Sequence, residues 1–214
     1  MGKKFRVESD TLGEVKIPEN SLWGPQTQRS INNFKIGQPG SMPTEIIHSF
    51  AILKKSCEIS NNELMNLEKK KMKLIIEVCD EILKNKHNKE FPLVIWQTGS
   101  GTQTNMNVNE VISNRANILS GKSLNDSKYI KANDEINMSQ SSNDTFPTAT
   151  NIAVTKLIFE KLIPSTESFI KILNKKVKEF SNDIKIGRTH MMDATPISLG
   201  QEFSGYESQM KHGL

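Results

Sequence analysis

Apolar residues recur at spacings of three and four along most of this chain, which confines it to a fold built mainly of helices packed on apolar stripes. From Pro43, the residues Ile46, Ile47, Phe50, Leu53 and Cys57 form one stripe; Leu67, Leu74, Ile75, Val78 and Ile82 form a second. Two amphipathic helices so close in sequence predict an antiparallel pair. Val108, Val111, Ile112 and Leu119 mark a further helix that ends at Gly121. From Asp144 the pattern lengthens through Ile152, Val154, Leu157, Ile158 and Leu162 to Phe169, Leu173, Val177 and Phe180. That run predicts two long helices, or one kinked at Pro164.

Extended structure is a minor component. Phe5, Val7, Val15 and Ile17 alternate weakly around Gly13 and predict a short N-terminal hairpin, and a brief helix is expected from Gln28 to Phe34. Leu93 to Trp96 reads as a short extended run, and residues 122 to 143 as polar and turn-rich. The fold class is therefore mostly α: a small N-terminal α domain with a short β-hairpin over residues 1–138, then the start of a long-helix bundle over residues 139–214. Because residues 210–214 read as the opening of another helix, this second domain is expected to be truncated.

Composition removes several classes of function. The net charge of +4 comes from Lys spread along helical stretches such as Lys69, Lys70, Lys71 and Lys73, without interleaved aromatics, so no nucleic-acid partner is expected. No apolar run approaches the roughly 20 residues of a spanning helix, and nothing at Met1 to Arg6 reads as an export or lipidation signal, so no membrane association is expected. Cys57 and Cys79 both fall inside amphipathic patterns with no paired spacing; they read as two buried free thiols of a cytoplasmic protein, and no metal site is expected.

Three polar segments interrupt the apolar pattern. The first, Thr98 to Asn105, has two glycines and several hydroxyls and amides just ahead of a helix, where a capping loop and an anion-binding loop both fit. No Gly-Lys-Ser/Thr follows, which excludes a phosphate loop. The second, Ser139 to Asp144, again precedes a long helix; its donors serve either as an ordinary cap at Asn143 or Asp144, or as ligands for something beyond the helix start. The third is Gly187-Arg188-Thr189-His190, an extended run between helices. Of the four histidines, His190 is the candidate for proton transfer, since His48, His87 and His212 sit in ordinary helical or charged surroundings.

These segments carry a resemblance. Trp96 to Asn107 with Asn109-Glu110-Val111-Ile112 resembles the first signature region of the fumarase and aspartase superfamily, and Ser139 to Asp144 followed by Phe146-Pro147-Thr148-Ala149 resembles the second. Gly187 to His190, with Asp193 to Pro196 and Gly200-Gln201-Glu202, resembles the region holding the family's His. Gln97-Thr98-Gly99-Ser100-Gly101-Thr102-Gln103 is similar to class II fumarases, where aspartases carry a Gly-Ala-Gly-Thr-Ser type run.

The resemblance implies reversible hydration of fumarate to (S)-malate, a step of the tricarboxylic acid cycle, in a homotetramer whose sites are shared between subunits and need no metal or organic cofactor. It implies that Ser100, Gly101 and Thr102 bind one end of the dicarboxylate and that Ser141, Ser142 and Asn143 bind from a second segment. Thr189 and His190 would come from a neighbouring subunit, with His190 exchanging the proton. A secondary anion site in the family uses a His-Pro-Asn-Asp type run, where this chain has Lys131-Ala132-Asn133-Asp134. The family's mobile Gly-Ser-Ser-x-Met-Pro-x-Lys-x-Asn loop is not among the 214 residues, so the chain alone is expected to be nearly inactive. A sister lyase such as an aspartate ammonia-lyase, or a non-catalytic fragment, are the competing expectations.

Overall fold

The computed structural model describes residues 4–214, which form two compact units divided between Ala153 and Val154. In the first, strands β1 (Phe5–Asp10) and β2 (Gly13–Pro18) pair antiparallel, with Asp10 opposite Gly13. Thr11 and Leu12 make the tight turn between them, Gly13 at the head of β2 takes φ +106°, and the expected hairpin is present. Helices α1 (Pro25–Asn33), α2 (Thr44–Glu63), α3 (Lys69–Leu83) and α4 (Thr102–Leu119) follow, and α5 (Ser142–Leu157) begins in this unit.

Burial explains why these helices assemble. Phe50 and Ala51 of α2, Ile75, Val78 and Cys79 of α3, and Val108, Val111 and Ile112 of α4 are all fully enclosed in one apolar cluster. The larger of these side chains, Phe50, Ile75, Val78, Val108, Val111 and Ile112, each contribute on the order of 1.5–3 kcal/mol by leaving water. α2 folds back on α3, as predicted, and Lys55 pairs with Asp80 across them at 2.7 Å. Leu93 to Trp96 lies in irregular chain, with no strand partner among the described residues. One expectation needs correction: Cys79 is buried, but Cys57 is only half-buried at the edge of its stripe; both are free thiols.

Two buried ion-bearing groups organise the N-terminal segment. The Arg6 guanidinium donates to the carbonyls of Pro18, Glu19, Ser21 and Trp23, which ties the hairpin to the chain leading into α1. Glu110 of α4 accepts from the N–H groups of Gly24, Gln26 and Thr27 and from the Thr27 hydroxyl, so a carboxylate from a distant helix caps the start of α1. Burial still pushes the Glu110 carboxyl above its ordinary range.

In the second unit a π turn, Ile158–Leu162, leads directly into α6 (Ile163–Glu179). Ile163 donates to the Ile158 carbonyl five residues back, and this widening falls just before Pro164, whose ring cannot supply the next N–H. The predicted interruption at Pro164 is therefore a local π turn between two long helices. Strands β3 (Ile184–Thr189) and β4 (Met192–Ser198) form a second antiparallel hairpin, and α7 (Leu199–Gly213) packs on α6. Ser198 and Gln201 close a reciprocal capping box at the start of α7.

Candidate active site

The first polar segment turns into α4 at Gly101, which sits at the cap position with φ +65°, a backbone state that favours glycine. A Cβ there would lie 2.1 Å from the Phe146 ring, so the missing side chain also lets α5 approach. Gln97 steadies the loop by accepting from the Thr104 N–H at 2.9 Å. With no acidic residue in its first turn, the positive end of α4 is left without a built-in counter-charge.

The second segment enters α5 with Ser141, rather than Asn143 or Asp144, in the capping position; its Oγ accepts from the Asn143 N–H at 3.3 Å. The structure then joins the two segments. Ser100 Oγ lies 3.1 Å from Thr98 Oγ1 and 2.9 Å from Thr102 Oγ1, and Thr102 Oγ1 lies 2.9 Å from Ser142 Oγ, which is 40 residues further along the chain. An open groove of ≈ 630 Å³ runs beside this hydroxyl chain, lined by Gly99, Ser100, Asn143, Phe146, Pro147 and Thr150 among others. Thus Ser100, Gly101, Thr102, Ser141, Ser142 and Asn143 all cluster at two neighbouring helix starts. Thr98 donates to Gln103 Oε1 at 2.7 Å, which leaves Ser100, Thr102 and Ser142 each donating to the hydroxyl before it; a bound anion would draw on the free N–H groups of the helix starts, and on a hydroxyl once that group turns from its neighbour.

Beneath the hydroxyls lies a polar layer that the apolar pattern had concealed. Lys54 of α2 is fully buried and donates to Asn137 Oδ1 at 3.2 Å and Gln140 Oε1 at 2.8 Å. Asn105 and Asn109 of α4 also donate to Asn137 Oδ1, at 3.0 and 3.1 Å, and Thr145 of α5 donates to Asn105 Oδ1 at 3.3 Å. Burial lowers the Lys54 ammonium to about 8, and burial raises the Glu58 carboxyl, one turn away, to about 8. Neither oxygen of Glu58 has a hydrogen-bond partner among the described residues. The signal in the sequence was the spacing itself: positions 47, 50, 51, 54, 58 and 61 share one buried face, and two of them are charged.

Thr189 and His190 belong to the second unit. The expected extended run there is one strand of a hairpin: Thr189 pairs with Met192, and His190 and Met191 form its tip with φ +51° and +59°. Both residues are exposed. Positive φ at both central positions is the geometry of a tight hairpin turn, which non-glycine residues adopt at some strain, and such strain concentrates at functional sites. At 131–134, Lys131 Nζ pairs with Asp134 at 3.0 Å in an exposed position, and the Lys131 backbone N–H is taken by Glu135. Among the described residues, no three His, Cys, Asp or Glu side chains are grouped to hold a metal ion.

A fold of long helices with ligand donors at helix starts is the class these features define, and comparison with known proteins places it. A protein-family model described as a lyase matches residues 13–214. The chain belongs to this lyase family. Its relatives include the class II fumarate hydratases of Pasteurella multocida, 55% identical over 98% of this chain and 45% of that protein, and of Haemophilus ducreyi, 56% identical over 99% and 46%. A crystal structure of the recombinant class II fumarase from Schistosoma mansoni superposes with a TM-score of 0.92 at 44% identity, covering 98% of this chain and 44% of that one. The chain thus spans about half the length of the relatives it matches.

Proposed function

We propose that this chain carries the dicarboxylate-binding part of a fumarate hydratase, which interconverts fumarate and (S)-malate. The observation that carries the proposal is the hydroxyl chain Ser100–Thr102–Ser142, which links the starts of α4 and α5 beside an open groove. A carboxylate seated there would meet free helix-start N–H groups, hydroxyls and the Asn143 amide. In the malate-to-fumarate direction, a proton leaves the carbon next to a carboxylate, and that group becomes a doubly negative enolate-like species. Neutral donors already fixed in place stabilise such charge without having to reorganise. Loss of the hydroxyl with a second proton then gives fumarate and water.

In this reading Thr189 and His190 act from a neighbouring subunit, and His190 exchanges the proton through water. Support comes from the exposed, strained hairpin tip and from the apolar surface of the long helices. Val154, Phe159, Leu162, Phe169 and Ile172 are about half exposed or more, as expected of a face that a homotetrameric bundle would cover. We assign residues 1–138 to an N-terminal lyase domain and 139–214 to the bundle domain. The free thiols fit a cytoplasmic setting, and no described helix is long and apolar enough to cross a membrane. Anion binding at Lys131, Ala132, Asn133 and Asp134 would require the Lys131–Asp134 pair to open.

The test is turnover of malate and of aspartate by the natural gene product that contains this chain. Fumarate release from malate but not aspartate is expected, and release from aspartate alone would identify an ammonia-lyase instead. His190→Asn should lower kcat by roughly a hundredfold or more while changing KM little, the signature of a lost proton-transfer group. Equal losses in binding and turnover would contradict that role.

A further inference from the structure

We propose that Lys54, which lies outside the hydroxyl cluster, is a positioning residue that sets the Ser141–Asn143 segment and the start of α5 against the start of α4. The inference rests on the dicarboxylate reading of those segments and adds a residue that neither the sequence pattern nor the resemblance assigns. Its basis is the connectivity of the buried polar layer. Lys54 Nζ holds Gln140, the residue immediately before Ser141, and also Asn137. The Asn137 amide in turn donates to the Gln140 carbonyl at 3.1 Å, and the Gln140 amide donates to the Ile136 and Met138 carbonyls at 3.1 and 3.2 Å. Between them Ser139 takes φ +59°, an unfavourable state for serine that such cross-bracing holds in place.

The same Asn137 oxygen accepts from Asn105, which lies one turn inside α4 beyond Thr102, and Asn105 accepts from Thr145, in the first turn of α5. One ammonium therefore governs the spacing of both helix starts from below, while the hydroxyl chain joins them from above. Stability alone does not account for a lysine at this place. Its two hydrogen-bond partners are neutral amides, and an ammonium taken fully out of water is poorly repaid by neutral acceptors and by a Glu58 carboxyl that burial holds toward its neutral form. The downward shift of its pKa reports that penalty. What the charge supplies is a short, directional, charge-assisted anchor for a segment without regular structure.

Lys54→Met keeps the length and volume of the side chain and removes the anchor. In the natural gene product it should raise KM for malate by about tenfold or more, with a smaller change in kcat, because a displaced Ser141–Asn143 segment weakens carboxylate binding first. Amide hydrogen exchange over residues 138–145 should accelerate while exchange in α3 stays at the wild-type rate. Gln140→Met cuts the same link from the loop side and should shift KM in the same direction, and the double variant should be no worse than the more affected single one. Unchanged KM with unchanged exchange over 138–145 in Lys54→Met would overturn the proposal. If Lys54→Met fails to fold, Gln140→Met decides: a wild-type KM there would equally overturn it. A wild-type protein that turns over no dicarboxylate would instead defeat the functional reading, and the exchange measurement would still test whether Lys54 holds the segment.

Discussion

At the scale of single residues, Gly101 carries more of the site than any hydroxyl does. It combines a left-handed backbone with contact distance to Phe146, so Gly101→Ala would strain the turn and push the start of α5 away from α4. The expected loss is roughly 2–4 kcal/mol of stability, read as a lowered denaturant midpoint, together with a severe drop in kcat/KM. A variant with wild-type midpoint and turnover would show that the close approach is dispensable. The residues around Gly101 stood out in sequence as donors placed just before an apolar stripe, a pattern that an ordinary helix cap also explains, and only the family resemblance pointed from there to a ligand. Lys54 did not stand out, since its partners lie 83 and 86 residues away and only the folded chain brings them within reach. Glu110 was equally hidden: it sits in a recognisable motif, but its task as a cap for α1 appears only once α4 crosses the entry to that helix.

At the scale of elements, the helices followed their apolar spacing and the hairpins did not follow theirs equally well. β1 and β2 are announced by Gly13, whereas the tip of the second hairpin is His190-Met191, which lacks the Asn-Gly type of turn signal; its second strand therefore went unread. The helical repeat also hid the charged pair on the inner face of α2. Glu58 is ordinarily ionised above 4.5, but in the folded chain burial moves it to about 8. Its contribution is thus favourable below about pH 4.5 and is lost as pH rises through about 8, while the depressed Lys54 changes stability only above that point. Burial also raises Glu90 and Glu110, so the comparison with Glu58→Gln isolates the one group. Between about pH 5 and about pH 8, the wild type should lose more than about 1 kcal/mol relative to Glu58→Gln, measured by urea unfolding. Parallel curves would mean that Glu58 is not held protonated by its burial.

At the scale of the whole molecule, the chain provides two helix starts facing one groove in its first unit and, in its second, an exposed His190 on a hairpin beside helices with uncovered apolar surface. The fold class was readable from periodicity alone, whereas the candidate binding residues came from the family resemblance, their position before helices being equally that of ordinary caps. Their mutual distances depend on packing that no local pattern encodes. The claim on which the rest depends is that the Ser100–Thr102–Ser142 hydroxyls hold one end of a dicarboxylate. The most direct measurement is kcat/KM for malate in the natural gene product carrying Thr102→Val, which keeps the shape of the side chain and removes the central hydroxyl. The account predicts a fall of about tenfold to a hundredfold with an unchanged unfolding midpoint. An undiminished kcat/KM would contradict it.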